Sequence, residues 1–396
     1  MTAALEKNHR LRKDVIKHLY YHKMLTLTDL SHLTHKSVPL ITTTVSDLIN
    51  EGYVIESAEP RSTGGRRASV YLLNQEKQRY IVAVAMDQMV TRVEIYDLLN
   101  NVKMAHEVLD LQLNRDTAEP TKLAAFLKDY ISRSGIPAAQ ILGVGIGMPG
   151  FIDSKLGINY TFFKLKGDNN LLSYLKAELG LPVFIDNDSS LIALAELRFG
   201  MGKGLQEVLV VNMNWGVGLG MIINGKLFRG HSGYAGEFSH IPLSQSNKLC
   251  SCGKRGCLEV DTSLSVLVEK AKAEIEKGVS SSLEQLFKDK SKLEGDHFLQ
   301  AANAGDPLAV SILSEAAFLI GKGLATLIHI INPEVIVIGG RGAVAGRIFM
   351  APIQHAINEF CIPRMAEQTA IKVSGLTNKS QLLGAAILVV ENCHFN

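Results

Sequence analysis

The chain has 396 residues, 46% hydrophobic and 20% charged, which allows two or three domains and is typical of a globular protein. No apolar run reaches the roughly eighteen residues of a membrane-spanning helix, and the polar stretch Met1–Arg12 is unlike a secretory signal peptide. We therefore expect a cytoplasmic protein without membrane insertion. The net charge is +2, but residues 1–75 hold ten Lys/Arg against seven Asp/Glu, which favours an anionic partner for the N-terminal fifth.

Three short helices and two strands are predicted for residues 1–75. Apolar spacing and turn residues predict, in chain order, helices over Asn8–Tyr21 and Thr28–Leu33, a helix from Ser37 to Gly52, and strands over Tyr53–Ser57 and Ser69–Leu73. The loop between the strands is rich in glycine and arginine. Three helices followed by a basic hairpin are the parts of a winged helix-turn-helix, so we predict this domain for residues 1–75.

In such a domain the third helix enters the major groove of DNA and the hairpin, or wing, lies beside it. Short hydroxyl side chains on the helix bond phosphates or base edges, and arginines on the wing reach phosphates or a narrow minor groove. The candidate DNA-binding residues are Thr42, Thr43, Ser46, Arg61, Arg66 and Arg67. The alternative is a small helical bundle that binds another protein, with solvated arginines.

From Arg79 onward, apolar strands alternate with helical stretches, which predicts an α/β fold. The clearest elements are strands over Tyr80–Ala85, Ile141–Ile146, Val183–Ile185, Val208–Val211 and Val335–Ile338, and helices over Ser189–Phe199 and Ser311–Ile331. Turn residues follow several of these strands, as in Asp186-Asn187-Asp188. Because α/β folds bind ligands at the carboxyl ends of strands, such turns are candidate ligand contacts.

One histidine and three of the five cysteines lie close together: His240, Cys250, Cys252 and Cys257. One His and three Cys are a ligand set that tetrahedral zinc prefers, and Gly253 and Gly256 allow the tight turn that brings the sulfurs together. Four protein ligands leave no open position, so we predict one structural zinc ion per chain. The alternative is a loop of reduced, unligated cysteines.

The zinc ligands belong to a longer pattern, which reads Glu237-x-x-His240 and then Cys250-x-Cys252-Gly-x-x-Gly-Cys257-x-Glu259. This pattern resembles the signature of the ROK family (repressors, open reading frames and sugar kinases). The resemblance covers nearly the whole chain, including the winged helix of the repressor branch. It implies a two-lobed, actin-like (ribonuclease H-like) sugar-kinase fold. The implied smaller lobe comprises residues 79–188 and 377–396, and the larger lobe, residues 189–376, holds the zinc site and the oligomer contacts.

The resemblance also implies a sugar in the cleft between the lobes. Carried over by position, the implied sugar contacts are Asn187, Asp188, Glu237, His240 and Glu259. His240 then has two roles, with one ring nitrogen on zinc and the ring edge near a sugar hydroxyl. In the kinases the aspartate at the position of Asp188 is the general base. The alternative for Asp188 is that it only caps a helix, and the alternative for Glu237 and Glu259 is that they are simply exposed. Ser239 departs from the family, which usually has glycine there.

The nucleotide half of the cleft departs from the kinase branch. The family's first phosphate loop reads Asp-x-Gly-Gly-Thr. When Ala85–Met89 is aligned with this loop, the acidic residue and both glycines are absent from the corresponding positions. The second loop, normally Thr-x-Gly-Thr-Gly, reads Asn212–Gly216 with Trp215 at the second Thr position. Gly339-Gly340 resembles the adenosine-side turn or is only a strand-to-helix turn. We therefore predict that the chain is not an enzyme.

Together these features predict a sugar-responsive transcriptional regulator, in its simplest form a repressor of carbohydrate-metabolism genes. A homodimer or homotetramer places its winged helices on a pseudo-palindromic operator of double-stranded DNA. A sugar or sugar derivative in the cleft then changes the DNA affinity. Two alternatives remain: an ATP-dependent sugar kinase, and a repressor controlled by a transport-system protein.

Overall fold

The computed structural model describes residues 3–57, 69–113, 120–163, 165 and 170–395. Its helices are α1 Ala3–His22, α2 Leu27–Thr34, α3 Val38–Asn50, α4 Pro120–Arg133, α5 Leu171–Leu179, α6 Asp188–Phe199, α7 Glu259–Thr262, α8 Leu264–Glu276, α9 Leu283–Leu286, α10 Glu294–Asn303, α11 Pro307–Ile331, α12 Gly346–Phe360, α13 Pro363–Ala366 and α14 Ser380–Asn392. Its strands are β1 Met24–Thr26, β2 Val54–Glu56, β3 Val70–Leu73, β4 Tyr80–Met86, β5 Val90–Asp97, β6 Val102–Asp110, β7 Ile141–Met148, β8 Ile152–Asp153, β9 Ile158–Asn159, β10 Val183–Asn187, β11 Val208–Met213, β12 Val217–Ile223, β13 Lys226–Leu227, β14 Val335–Gly340 and β15 Ala370–Val373.

Three helices, α1 to α3, and an antiparallel sheet of order β1-β3-β2 form the N-terminal unit. Its core consists of apolar side chains from the three helices: Leu11, Val15, Ile16, Leu19, Leu30, Ile41, Val45 and Leu48. The predicted start of the second helix needs correction. The helix begins at Leu27, one residue before the predicted Thr28, and Thr26 is its cap. The Thr26 hydroxyl accepts from the Asp29 backbone N–H and the Asp29 carboxylate accepts from the Thr26 backbone N–H, which forms a capping box.

Two five-stranded sheets organise the remaining fold. The first has the order β10-β7-β4-β5-β6 and the second the order β13-β12-β11-β14-β15. In the first sheet β10, β7 and β4 are parallel, and in the second β11, β14 and β15 are parallel. The other neighbours, β5, β6, β12 and β13, pair antiparallel. Parallel strands that alternate with helices confirm the predicted α/β class.

Helices α6 and α14 cross one another closely over the first sheet. Two glycines permit this approach, because a Cβ on Gly145 of β7 would lie 2.0 Å from the Ala385 carbonyl oxygen, and a Cβ on Gly384 of α14 would lie 2.2 Å from the Leu191 carbonyl oxygen. α6 also packs on β11 and β12 of the second sheet. Both sheets therefore contact the same helix, α6.

The N-terminal unit and the first sheet share one hydrophobic core. The rings of Tyr20 and Tyr21 in α1 lie 5.9 and 6.2 Å from the ring of Phe199, the last residue of α6. Tyr53 lies 6.3 Å from Phe395, which follows α14. Buried aromatic contacts of this kind favour a fixed packing arrangement, so the N-terminal unit is seated on the ends of α6 and α14.

Among the described residues, α11 is long and apolar enough to cross a membrane by length and composition alone. In this fold α11 packs against α8, α10 and α12, and 56% of its most apolar window is buried. Contact with three neighbouring helices is typical of a core helix.

Candidate functional site

A cavity of about 940 Å³ lies at the carboxyl ends of parallel strands from both sheets. Its wall includes residues that end or directly follow β4, β7, β10 and β11: Asp87, Pro149, Asn187 and Asn214. All five predicted sugar contacts line this one cavity. Strand ends are the position at which α/β folds bind ligands, so the cavity is the candidate ligand site.

The turn from β10 into α6 brings Asn187 and Asp188 to the cavity wall. Asn187 is the N-cap of α6, because its Oδ1 accepts from the backbone N–H groups of Ser189 and Ser190 at 3.0 and 3.1 Å. The buried Asp188 carboxylate accepts from the Ser189 backbone and hydroxyl at 2.8 and 3.2 Å and from Asn212 Nδ2 at 3.2 Å. Burial raises the pKa of Asp188 to about 6.

Glu259 begins α7 and lies against the loop between β11 and β12. Its Oε2 accepts from the Val217 backbone N–H at 3.1 Å, and the Ser239 hydroxyl donates to its carboxylate. A Cβ on Gly216 would lie 2.7 Å from Glu259 Oε1, so a larger residue at position 216 would displace the Glu259 carboxylate. Burial raises the pKa of Glu259. The serine that departs from the family pattern thus contacts a carboxylate of the site.

Three carboxylates, those of Glu237, Asp188 and Glu259, surround the cavity. Partial desolvation and the two neighbouring carboxylates raise the pKa of Glu237 to about 7. Glu237 Oε2 lies 3.7 Å from His240 Nε2, and Phe151 stacks on the His240 ring with centroids 6.2 Å apart. Carboxylates beside an aromatic wall suit a polyhydroxyl ligand, because hydroxyls donate to the carboxylates while apolar C–H groups pack on the ring.

The four predicted metal ligands converge beside the cavity. Their ligand atoms, from His240, Cys250, Cys252 and Cys257, all lie within 4.8 Å of one another. Cys250 Sγ lies 3.6 Å from His240 Nδ1, and Cys252 Sγ lies 3.6 Å from Cys257 Sγ. This cluster can hold a metal ion. Because Nδ1 faces the sulfurs while Nε2 faces Glu237, the two predicted roles of His240 use different ring nitrogens.

Two features of the site were not predicted. Arg229 forms a bidentate ion pair with the buried Asp186, with Nη1 2.9 Å from Oδ1, and this pair fixes the end of β10. Phe151 and Tyr234 line the cavity and contact each other edge to face at 5.9 Å. Arg229 and Asp186 are 43 positions apart, and no sequence motif relates them, so only the fold reveals the pair.

The prediction for the first phosphate loop was wrong in one respect. β4 ends at Met86, so Asp87 directly follows the opening strand and the acidic residue is present, two positions later than expected. When Asp87 is aligned with the aspartate of Asp-x-Gly-Gly-Thr, Met89 and Val90 occupy the two glycine positions. Asp87 Oδ1 accepts from the backbone N–H groups of both residues at 2.8 Å, which closes a tight turn between β4 and β5.

A largely buried arginine joins the two sheets beside this turn. Arg341, which follows β14, donates from Nη2 to Asp87 at 2.6 Å, from Nη1 to the two Asp296 oxygens at 2.7 and 2.9 Å, and from Nε to Asn214 at 3.1 Å. Its guanidinium lies 6.0 Å from the ring centroid of Trp215, a buried residue of the cavity wall. The Arg341 guanidinium therefore links the turn after β4 to the loop after β11, through its hydrogen bonds to Asp87 and Asn214.

The candidate DNA-binding residues fall into two groups. Thr42, Thr43 and Ser46 are exposed on α3. The predicted wing residues, Arg61, Arg66 and Arg67, lie outside the described residues.

Comparisons with known proteins agree with this geometry. The profile of the ROK family matches residues 96–392. A xylose repressor of Caldicellulosiruptor bescii is 29% identical over 395 residues, which is 97% of this chain and 98% of the repressor. A crystal structure of a ROK family transcriptional regulator, a homologue of the Escherichia coli Mlc protein, has a TM-score of 0.77 at 25% identity and covers 97% of this chain and 96% of its own.

Kinases of the same family are also similar. The structure of a ROK family glucokinase from Streptomyces griseus, in complex with glucose and AMPPNP, has a TM-score of 0.67 at 26% identity. It covers 79% of this chain and 100% of its own. The α/β sugar-kinase-like fold that the sequence predicted is thereby confirmed, and the chain belongs to the ROK family.

Proposed function

We propose that the chain is a sugar-responsive transcriptional repressor, which binds operator DNA through its N-terminal unit and a sugar or sugar derivative in the cavity. One observation carries the proposal: all five predicted sugar contacts line one cavity, and α6, which contributes to its wall, shares a hydrophobic core with the three-helix N-terminal unit. The similar xylose repressor extends over both parts of the chain.

The N-terminal unit is proposed to be a winged helix-turn-helix of residues 1–75. Three helices, a short β1 and the β2–β3 pair occur in the order that such a domain requires. α3 is the proposed recognition helix, since it is exposed along the side that bears Thr42, Thr43 and Ser46. The wing arginines would contribute contacts with phosphates.

In the cavity, the ligand hydroxyls are proposed to donate to Asp188, Glu237 and Glu259. Hydrogen bonds to an ionised carboxylate are shorter and stronger than neutral ones. Asn187 holds the turn in place, and the ring edge of His240 faces the same space. A ligand that binds one arrangement of the lobes more tightly than the other will shift the equilibrium between them.

The metal that best fits the cluster is zinc. A tetrahedral centre with Zn–S distances of about 2.3 Å places two sulfurs about 3.8 Å apart, close to the 3.6 Å between Cys252 and Cys257. When bound, zinc would cross-link the loop that holds these ligands and withdraw His240 Nδ1 from proton exchange. With four protein ligands, we assign it a structural role.

We infer that the cavity does not catalyse phosphoryl transfer. Phosphate cradles need glycine, so that backbone N–H groups can approach the oxygens, and Met89 and Val90 place side chains there. Trp215 and the paired Arg341 occupy the neighbouring region. The second candidate is an ATP-dependent sugar kinase, favoured by one observation: a pKa of about 6 suits Asp188 to act as a general base.

Two helices are proposed to connect ligand binding with the N-terminal unit. α6 starts at Asp188 in the cavity and ends at Phe199, against α1. α14 starts beside the cavity, where Gln381 Nε2 donates to the carbonyl oxygens of Met86 and Gly147 at 2.8 and 3.1 Å. A shift of either sheet on ligand binding therefore moves a helix that contacts α1.

The far ends of both helices meet α1 at the Glu391 junction, formed by Glu391, Arg198, Lys17 and Tyr21. Glu391, in α14, accepts from the Tyr21 hydroxyl at 2.5 Å and lies 2.5 Å from Lys17 Nζ. Arg198, in α6, lies 3.8 Å from Glu391 and 4.5 Å from the Tyr21 ring centroid. Three helices thus share one partly buried ionic group, which joins the two helices that start at the cavity to the proposed DNA-binding unit.

The remaining features are proposed from the family resemblance. The smaller lobe would comprise residues 79–188 and 377–396 and the larger lobe residues 189–376. Two or four chains would bind a pseudo-palindromic operator, and the alternative regulator is a transport-system protein. We place the protein in the cytoplasm.

The test has two parts, performed on the full-length protein. First, selection from a library of duplexes with a randomised core should enrich a two-fold symmetric sequence. Second, a thermal-shift screen of monosaccharides and sugar phosphates should identify a compound that raises Tm, because a ligand specific for the native state stabilises it. Failure to enrich any duplex would refute the repressor proposal.

A further inference from the structure

The outer side of the first two turns of α3 is apolar and uncharged. Val38 and Leu40 are 41% and 46% exposed, and Thr42 and Thr43 lie exposed beside them. The sequence of α3 contains no lysine, arginine or glutamine. A helix that reads DNA with this surface must use contacts other than cationic ones.

The hydroxyl hydrogens of the two threonines are already used within the helix. The Thr42 hydroxyl donates to the Val38 carbonyl oxygen at 2.9 Å, and the Thr43 hydroxyl donates to the Pro39 carbonyl oxygen at 3.2 Å. Each hydroxyl has a single hydrogen, so a side chain that keeps this bond cannot also donate to an acceptor on a base edge. The groups that remain for recognition are the γ-methyl groups and the oxygen lone pairs.

We propose that α3 recognises thymine through its C5-methyl group, with the methyl groups of Thr42 and Thr43 as the specificity-determining contacts. This inference rests on the proposed DNA-binding function. In the major groove thymine presents a methyl group that apolar side chains and threonine methyls contact. Val38 and Leu40 extend the apolar surface on either side. The recognised class of ligand is therefore duplex DNA with thymine at the positions that face the first two turns of α3.

The side chains on this surface also disfavour the other bases. Guanine is read most often by arginine or lysine, and adenine by asparagine or glutamine. None of these occurs between Val38 and Val45. Lone pairs on the threonine oxygens can accept from cytosine or adenine amino groups, but they provide one contact each and no bidentate geometry.

Charge around the surface favours a nucleic acid over a protein partner. Exposed His35 and Lys36 lie just before Ser37, the N-cap of α3, and residues 1–75 carry ten Lys/Arg against seven Asp/Glu. An apolar strip with a lysine beside it suits a major groove, in which base edges lie next to the phosphate backbones.

The experiment replaces thymine by deoxyuridine, which differs only in lacking the methyl group. Each thymine of the duplex enriched by selection is replaced in turn, and affinity is measured by fluorescence anisotropy at fixed salt concentration. We expect about a fourfold loss at one or more thymines of each half-site, equivalent to about 0.8 kcal/mol for one buried methyl group. Uracil should have no effect at thymines outside the α3 contact.

Three variants identify the protein group that contacts the methyl. Thr43→Ser retains the hydroxyl and loses the methyl, so it should bind the thymine duplex about fourfold more weakly and lose sensitivity to uracil at its contact. Thr43→Val retains a methyl and should remain sensitive. Thr28→Ser makes the same change on the exposed surface of α2 and should behave as the wild type; Thr42→Ser is the second test variant.

Each outcome decides between the possibilities. Loss of uracil sensitivity in Thr42→Ser or Thr43→Ser, with sensitivity kept in Thr28→Ser, supports the inference. Enrichment of a duplex that tolerates uracil at every thymine overturns the inference but leaves the repressor proposal intact. The same holds if both serine variants keep full sensitivity, because the methyl is then read by another part of the protein. No enrichment of any duplex overturns both and favours a protein-binding role for α3.

Discussion

Replacing Asp188 with Asn should stabilise the protein at pH 7.5 while weakening its sugar binding. The carboxylate is buried, and desolvation raises its pKa from the ordinary 3.8 to about 6. At 1.36 kcal/mol per pH unit, this rise means that ionised Asp188 costs about 3 kcal/mol of folding free energy above pH 6. Asparagine removes that cost. It weakens the hydrogen bond from Asn212 Nδ2, worth about 1 kcal/mol, so we expect a net gain of about 2 kcal/mol.

The gain should depend on pH in a defined direction. Between pH 3.8 and 6 the native state of the wild type binds more protons at Asp188 than the unfolded state does, so stability falls as the pH rises through this window. Asp188→Asn lacks this loss. The difference in Tm between the two proteins should therefore be a few degrees at pH 7.5 and should shrink toward pH 4. Groups that do not interact with Asp188 cancel in the difference. Glu237 and Glu259, whose pKa values are raised in part by the Asp188 charge, change the difference in the same direction.

Differential scanning calorimetry at pH 4, 5, 6 and 7.5 measures the stability, and isothermal titration with a sugar from the thermal-shift screen measures the affinity. Loss of a charge-assisted hydrogen bond worth about 1.5–3 kcal/mol should weaken binding roughly 10- to 100-fold. Asp110→Asn, at an exposed aspartate of β6, is the matched control and should change neither quantity. A less stable Asp188→Asn protein with unchanged sugar affinity would refute the reasoning and assign Asp188 a structural role.

Three further predictions follow from the site and the Glu391 junction. Cys257→Ser should reduce the zinc content, measured by atomic emission, from one per chain to well below one and should lower Tm, whereas full zinc retention would exclude this ligand set. Glu391→Gln should leave sugar and duplex affinities within about threefold of the wild type but reduce the effect of sugar on duplex binding. Glu367→Gln, at an exposed site, is the control. An unchanged effect of sugar on duplex binding in Glu391→Gln would exclude the junction as a link. In an ATP-coupled assay with a sugar that binds, we expect no phosphorylation above background, and turnover that Asp188→Asn abolishes would instead support the kinase alternative.

The sequence predicted the elements whose apolar runs are bounded by turn residues. β4 was predicted over Tyr80–Ala85 and spans Tyr80–Met86, and α6 was predicted from Ser189 and begins at Asp188. Local signals of this kind need no tertiary information. β1 has only three residues, and β6 is largely exposed, so neither gives a periodic pattern strong enough to recognise.

The candidate site was predictable where its residues belong to one local pattern. The His/Cys cluster spans a short stretch of sequence and converges as expected. The Asp186–Arg229 pair and the bridge from Arg341 to Asp87, 254 positions apart, were not predictable, because the fold alone brings such partners together. The two-residue error in aligning Asp87 with the phosphate loop has a similar cause. The loop starts where β4 ends, and an apolar run in the sequence does not locate the end of a strand to within two residues.

The most direct test of the account is reciprocal coupling between sugar and DNA. The affinity of the full-length protein for the sugar is measured by titration with and without a saturating concentration of the selected duplex, and the affinity for the duplex is measured with and without saturating sugar. If one chain couples the two sites, both affinities change by the same factor, typically 5- to 150-fold, because linkage makes the coupling free energy reciprocal. Identical sugar affinities with and without duplex would contradict the proposal that the cavity controls DNA binding.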